Sequence, residues 1–157
     1  MIAGAVSYDG DAWDIVLNPA KVVSVLPIVT VLTLSATGSE MDTFAVISNL
    51  ETNDKIGTGH EDMRPKASVL DPSYTCSVSA YQTAAGTADI MSHIFECYFS
   101  NVQGYMQDRM AEGLLKTCIE SVYVQCKILR IMKRGANLMW TSSWAINNFI
   151  KLGKTVE

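Results

Sequence analysis

The pattern of apolar and polar residues divides the chain into a strand-containing first part and a helical second part. Residues 28–34 are rich in β-branched and apolar side chains, which is typical of a strand buried on both faces of a parallel sheet. Residues 43–50 and 55–57 flank a polar turn, and this arrangement predicts a β-hairpin. A short apolar strand is predicted at residues 67–70. The first part is therefore predicted to be α/β in class.

After residue 74 the apolar spacing becomes helical, and the rest of the chain is predicted to be all-α. Ile90, Ile94 and Cys97 form one apolar stripe, and a second apolar stripe recurs at every fourth residue from Met106 to Val122. We predict a domain boundary near residue 74, with domains at 1–74 and 75–157. The predicted helices are 81–86, 86–101, 104 to about 126, and 135–151.

Asp89 and His93 are the first candidate pair for chemistry. They are four residues apart in a predicted helix, so both side chains lie on one face, one turn apart. Carboxylate and imidazole are both good ligands for zinc or ferrous iron. Taken alone, the pair is more simply interpreted as a local Asp–His hydrogen bond. The surrounding sequence decides between these interpretations.

The amino-acid composition limits the kinds of molecule that this chain is expected to bind. The chain has 157 residues, of which 48% are hydrophobic and 18% charged, as in globular proteins. A net charge of -4 argues against binding to nucleic acid or to an anionic membrane. The apolar run at 22–34 is too short to span a membrane and contains Pro27. The N-terminus shows no secretory pattern, so we expect a cytoplasmic location.

The four cysteines, Cys76, Cys97, Cys118 and Cys126, form no C-x-x-C pair. They are predicted to be buried free thiols in a reducing compartment. A different feature follows the strand at 28–34, where small hydroxyl residues and a glycine occupy positions 35–40. Ligands of open α/β sheets bind beyond the carboxyl ends of the strands, so this segment is suited to a ligand. An ordinary turn is the alternative.

Several short motifs resemble those of the iron-containing (group III) alcohol dehydrogenases, and they occur in the same order along the chain. The resemblance is greatest to the NADPH-dependent butanol dehydrogenase and aldehyde reductase branch. The motifs are Leu32-Thr33-Leu34-Ser35-Ala36-Thr37-Gly38-Ser39-Glu40-Met41, Asp54-Lys55-Ile56-Gly57, Val69-Leu70-Asp71-Pro72, Asp89-x-x-x-His93-x-x-Glu96-x-Tyr98, Gln107-Asp108-Arg109-x-x-Glu112-Gly113, and Ala136-Asn137-Leu138-Met139-Trp140.

The resemblance implies a dehydroquinate synthase-like, iron-containing alcohol dehydrogenase fold. Residues 1–74 would be the second half of the dinucleotide-binding domain, and residues 75–157 the first part of a helical metal-binding domain. The implied reaction is hydride transfer between NADPH (or NADH) and a small aldehyde or alcohol. A divalent metal, Fe²⁺ or Zn²⁺, acts as Lewis acid on the substrate oxygen in this family.

The resemblance also implies roles for individual residues. Asp89 and His93 match two metal ligands of the family. The residues that match cofactor-binding positions are Thr33, Thr37, Asp42, Lys55 and Tyr74. His60 matches no ligand position.

The same resemblance predicts that this chain is a central fragment. Its sequence lacks the glycine-rich phosphate-binding turn and the two further histidine ligands of the family. We therefore expect the isolated chain to be inactive as a dehydrogenase and to form homo-oligomers through exposed strands. The alternative function is that of a non-catalytic relative acting as a structural or interaction piece. A metal-binding module unrelated to dehydrogenases is a third hypothesis.

Overall fold

The computed structural model describes residues 1–122 and 128–152, and in the last helix it describes the side chains of residue 133 and of residues from 135 onward. Before residue 70 its regular elements are two short helices followed by four short strands, and after residue 70 they are helical. The elements are α1 (Ile2–Ala5), α2 (Ala12–Leu17), β1 (Val29–Val31), β2 (Phe44–Asn49), β3 (Asp54–Gly59), β4 (Ala67–Val69), α3 (Ala80–Tyr98), α4 (Tyr105–Val122) and α5 (Ile128–Ile146).

The chain divides into two compact units. The first comprises residues 1–30 and 39–68, and the second comprises residues 31–38 and the chain from residue 69 onward. In the first unit, Ile15, Val16 and Met63 are buried. Helix α2, which the sequence analysis did not predict, begins where the Asp11 carboxylate accepts a hydrogen bond from the Trp13 amide at 2.8 Å. The predicted domain boundary near residue 74 stays a prediction.

The hairpin predicted from residues 43–57 is confirmed. Strands β2 and β3 pair antiparallel in a register that runs from Phe44 opposite Gly59 to Asn49 opposite Asp54. The turn between them contains Asn53 in the left-handed region, with φ of 57°, a conformation that asparagine tolerates better than most residues.

The strand predicted at residues 28–34 is shorter and more exposed than expected. Strand β1 pairs with β4 and runs in the same direction, since the Lys66 amide donates to the Ile28 carbonyl and the Leu32 amide to the Val69 carbonyl. However, Val29 is 67% exposed, so the prediction of burial on both faces was wrong. Strand β1 is exposed because β4 is the only strand that pairs with it among the described residues.

The prediction that the second part of the chain is helical is confirmed, but some of the predicted helix bounds were wrong. Residues 80–98 form a single helix, α3, rather than two segments meeting at Gly86, because a central glycine costs only about 1 kcal/mol and neighbouring contacts outweigh that cost. Helix α5 begins at Ile128, not at residue 135, and ends at Ile146. It ends there because the backbone turns at Asn148, whose φ is 70°. The predicted end of α4 near residue 126 lies outside the described residues.

The core of the second unit forms where α3, α4 and α5 pack together. The apolar stripe on α3 agrees with the predicted spacing. On α4, Met110, Leu114 and Cys118 agree with it, but Met106 is 66% exposed, so its predicted place in the core was wrong. Its buried members are Ile90, Ile94, Cys97, Ala111, Cys118, Ala145 and Ile150. None of the helices in residues 1–122 and 128–152 is long and apolar enough to cross a membrane.

The described cysteines are free thiols, as predicted, but they differ in burial. Cys97 and Cys118 are buried, whereas Cys76 is exposed, so the prediction that it is buried was wrong. Cys76 is exposed because it directly follows a short 3-10 turn at Pro72–Thr75 instead of lying on the inner face of a helix. Cys126 lies outside the described residues.

Candidate metal and cofactor site

Helix α3 sets the positions of Asp89 and His93. The helix begins after Ser79, whose hydroxyl accepts a hydrogen bond from the Gln82 amide at 3.2 Å. Ile90 and Ile94 are completely buried and fix the rotation of the helix about its axis. Asp89 and His93 each precede one of these isoleucines by one residue, so they lie beside the buried face and remain partly accessible.

The two side chains face each other without making a hydrogen bond. The His93 Nε2 atom is 3.9 Å from the Asp89 Oδ1 atom, which is too long for a hydrogen bond. The simpler interpretation of the pair, a local Asp–His hydrogen bond, is therefore not what this structure contains. With metal–ligand bonds of about 2.1 Å, two donor atoms on one ion lie about 3–3.5 Å apart, so a small closure would let both contact the same cation.

The second oxygen of Asp89 supports this interpretation. Asp89 Oδ2 is buried and has no hydrogen-bond partner among the described residues. A buried carboxylate oxygen without a partner is costly, because it has lost water and gained nothing in return. A divalent cation bound at this carboxylate would offset that cost. The oxygen and imidazole donors fit ferrous iron or zinc.

Glu96 is the acidic residue nearest to the other nitrogen of His93. Its Oε2 atom lies 3.8 Å from His93 Nδ1, on the opposite edge of the ring from Asp89. The sequence analysis included Glu96 in a family motif but assigned it no role. The signal that could have found it is its spacing of three residues from His93, which places the two side chains on one helix face.

Two protein ligands do not complete a transition-metal site. Within residues 1–122 and 128–152, no three His, Cys, Asp or Glu side chains are arranged to hold one metal ion. Catalytic zinc sites ordinarily use three protein ligands and leave one position open. Asp89 and His93 are thus a partial ligand set.

The loop that follows β1 is held closely by two helices of the same unit. A Cβ atom on Gly86 would lie 2.5 Å from the Ser35 carbonyl oxygen, so only glycine permits this approach of α3. Gly38 adopts a φ of 59°, and a Cβ atom there would lie 2.8 Å from the Ser142 carbonyl oxygen of α5. Thr33 and Thr37, the predicted cofactor residues of this segment, are both exposed. Thr33 precedes Ser35, and Thr37 lies between Ser35 and Gly38.

A small cavity of about 30 Å³ adjoins the same loop. Leu34 and Ser35 line it from the loop, Thr83 from α3, and Thr75 from the 3-10 turn at Pro72–Thr75. Tyr74 belongs to this turn and is half exposed. The turn begins at Asp71, and the Ser73 amide that donates to its carboxylate lowers the pKa of Asp71.

Asp42 and Lys55, the remaining predicted cofactor residues, belong to the first unit. The Asp42 Oδ1 atom accepts a hydrogen bond from the Thr43 amide at 2.6 Å, which orients its carboxylate. Lys55 is exposed on β3, opposite Ser48 of β2. The structure therefore brings together Thr33, Thr37, Tyr74 and the metal-ligand helix in one unit and leaves these two residues in the other.

Comparison with known proteins gives a family for this arrangement. The family model of the iron-containing alcohol dehydrogenases matches residues 1–72. The chain is 60% identical over 155 residues to NADH-dependent butanol dehydrogenase A of Clostridium acetobutylicum, a match that covers 98% of this chain and 40% of that protein. It is 38% identical over 156 residues to the NADPH-dependent aldehyde reductase YqhD of Escherichia coli, covering 97% of this chain and 40% of the reductase.

Solved structures agree with the sequence comparison. The crystal structure of NADH-dependent butanol dehydrogenase A from Thermotoga maritima matches 99% of this chain and 39% of its own, with a TM-score of 0.91 and 34% identity. The matched part therefore has the mixed α/β and helical fold of the iron-containing alcohol dehydrogenases. The chain belongs to the iron-containing alcohol dehydrogenase family, and it spans about 40% of the length of the relatives it matches.

Proposed function

We propose that these residues form part of an enzyme that transfers a hydride between NADH or NADPH and a small aldehyde or alcohol. The observation that carries the proposal is the pair Asp89 and His93. Their facing donor atoms and the partnerless Asp89 oxygen lie in a chain that is 60% identical to a butanol dehydrogenase. Butanol dehydrogenase and aldehyde reductase describe the two directions of one reaction.

In this proposal Asp89 and His93 hold Fe²⁺ or Zn²⁺ through a carboxylate oxygen and Nε2. Such an ion would supply Lewis-acid chemistry toward the carbonyl or alcohol oxygen of the substrate. The protein residues keep the two donor atoms on one side of a rigid helix. The completely buried Ile90 and Ile94 fix the rotation of α3 about its axis, so both donor atoms stay beside the buried face of the helix.

The cofactor-side roles are proposals as well. Thr33 and Thr37 present hydroxyls from the loop after β1, where they would donate hydrogen bonds to phosphate or nicotinamide groups. Tyr74 lines the neighbouring 3-10 turn. Asp42 and Lys55 supply a polar group near the nicotinamide and a cation at the cofactor ribose. The nicotinamide carries the hydride, and these residues would position it.

A chimera tests the function without depending on the length of this chain. The matching 155 residues of the Clostridium acetobutylicum butanol dehydrogenase A are replaced by those of this chain, and metal-dependent oxidation of NADH by butyraldehyde is followed by absorbance. We expect turnover, and we expect Asp89→Ala or His93→Ala to lower it by more than about 100-fold. A folded chimera that retains activity in both variants would contradict the proposed metal ligands.

Only two ligands occur together among the described residues, and this observation favours a second candidate for the isolated chain. The 157-residue chain by itself would then bind metal weakly and act as a non-catalytic piece. Calorimetric titration with Zn²⁺ should show one weak site that disappears in the Asp89→Ala/His93→Ala variant. The matched control is Asp62→Ala/His60→Ala, since this second Asp–His pair is 3.8 Å apart. Loss of binding in the control alone would place the metal elsewhere.

We also propose that the isolated chain self-associates through its exposed strands in a cytoplasmic setting. Val29 and Val31 on β1 and Val69 on β4 are all about half exposed or more, although they belong to a strand pair. Exposed apolar strands favour pairing with another chain. Light scattering should show a mass above that of one chain, and Val29→Lys/Val31→Lys should lower it. A monomeric wild-type chain would refute the proposal.

A further inference from the structure

His93 lies between two carboxylates that approach different ring nitrogens. Asp89 Oδ1 is 3.9 Å from Nε2, and Glu96 Oε2 is 3.8 Å from Nδ1. The two acids lie one turn before and one turn after the histidine, so α3 places one on each edge of the ring. Neither distance is short enough for a hydrogen bond.

A neutral imidazole has one proton and one lone pair, and only the nitrogen with the lone pair can bind a metal. A carboxylate that accepts a hydrogen bond from one ring nitrogen keeps the proton on that nitrogen and leaves the lone pair on the other. Glu96 is exposed at its side chain, so a change of rotamer can shorten its distance to Nδ1 at little cost. Asp89 Oδ2 is buried and has no hydrogen-bond partner among the described residues, although the Asp89 side chain as a whole is 41% exposed.

We propose that Glu96 is a positioning residue for His93, accepting a hydrogen bond from Nδ1–H so that the Nε2 lone pair faces the gap beside Asp89. The inference rests on the proposed metal site and deepens it. Carboxylates that bind the second nitrogen of a metal-ligating histidine fix both its tautomer and its ring orientation. Glu96 itself contacts neither metal nor substrate in this arrangement.

The tautomer of His93 gives a test that needs neither metal nor activity. The chain contains only two histidines, so the ¹⁵N resonances of the side chains can be assigned with a His60→Gln variant. Spectra recorded at about pH 8.5, where an ordinary imidazole is neutral, report which nitrogen bears the proton. We expect Nδ1–H to predominate at His93 in the wild-type chain.

Three variants separate positioning from general effects of charge. Glu96→Ala should remove the preference for Nδ1–H, whereas Glu96→Gln should retain part of it because the amide oxygen still accepts a hydrogen bond. Glu120→Ala is the matched control, since it removes an exposed helical glutamate that is paired with Lys116. It should leave the tautomer of His93 unchanged. Circular dichroism verifies that each variant is folded.

Zn²⁺ titration of the same variants gives the second readout. We expect Glu96→Ala to weaken binding by about 10- to 100-fold, Glu96→Gln to weaken it less, and Glu120→Ala to have no effect. An unchanged His93 tautomer in Glu96→Ala would overturn the inference. If the wild-type chain bound no Zn²⁺ but its tautomer still depended on Glu96, the weak metal site proposed for the isolated chain would fail while the positioning role would hold.

Discussion

Helix α3 and the β2–β3 hairpin differ in where they place their apolar side chains. On α3, Ile90 and Ile94 are completely buried, whereas Phe44 and Val46 on β2 are each 63% exposed. A helix makes its backbone hydrogen bonds within itself and needs only a neighbouring surface to bury one stripe. A strand needs partners on its edges and its faces, and these come from distant parts of a chain.

This difference shows which parts of the candidate site are positioned by residues close to them in the sequence. Asp89 and His93 are held by residues of their own helix and by the α3, α4 and α5 core. The cofactor residues lie on a loop, a turn and a hairpin, whose geometry depends on longer-range packing. We therefore expect the geometry of Asp89 and His93 to tolerate changes in the hairpin and to be sensitive to changes in the helical core.

The largest effect is expected from Ile94→Ala. Truncating this completely buried side chain should lower the free energy of unfolding by about 2–5 kcal/mol, because it leaves a cavity beneath the His93 turn. Val46→Ala on the exposed hairpin is the control and should cost less than about 0.5 kcal/mol. Urea unfolding measures both. Equal losses in the two variants would remove the distinction between helix and hairpin.

Two glycines that lie in helix interiors should respond in opposite directions. Gly86→Ala places a methyl group 2.5 Å from the Ser35 carbonyl oxygen and should destabilise the chain by about 1–3 kcal/mol. Gly113→Ala on α4 meets no described atom within 4 Å and should stabilise it by about 0.5–1 kcal/mol through helix propensity. Urea unfolding measures the stability of both variants. A gain in stability from Gly86→Ala would show that the loop containing Ser35 moves freely.

A buried thiol makes the helical core sensitive to alkaline pH. Burial raises the pKa of Cys118 from 9.0 to about 11. The unfolded chain therefore loses this proton before the folded chain does, so the contribution of this thiol to stability falls as pH rises from about 9 to about 11. Across this pH window, the free energy of unfolding should fall more steeply with rising pH in wild type than in Cys118→Ala. Identical pH dependence in the two proteins would contradict the expectation.

The smallest effect is expected from the polar link between α3 and α4. The Tyr98 hydroxyl donates to Glu112 Oε1 at 3.1 Å, and this bond raises the pKa of Tyr98. Tyr98→Phe should lower the melting temperature less than Ile94→Ala does, because Glu112 keeps its 2.6 Å ion pair with Arg109. Tyr105→Phe, at an exposed ring, is the control. If Tyr98→Phe lowered the melting temperature as much as Ile94→Ala does, the hydrogen bond between Tyr98 and Glu112 would be the main interaction that holds α3 and α4 together.

Much of the secondary structure could be predicted from local pattern alone. The hairpin was predicted because polar turn residues at 51–54 separate two strand-forming segments. The apolar stripe on α3 followed from the spacing of Ile90, Ile94 and Cys97. The bounds were less predictable, since the continuity of α3 through Gly86 depends on the approach of Ser35, a residue about fifty positions away.

The sequence by itself determined that Asp89 and His93 share one helix face, because a spacing of four residues does so in any α-helix. The spacing of three residues likewise places Glu96 beside His93. Only the tertiary structure decided that Asp89 Oδ2 is buried with no hydrogen-bond partner among the described residues. It also decided that β1 is exposed rather than enclosed. Periodicity is a property of neighbouring residues, whereas burial and side-chain orientation depend on what the rest of the chain places beside them.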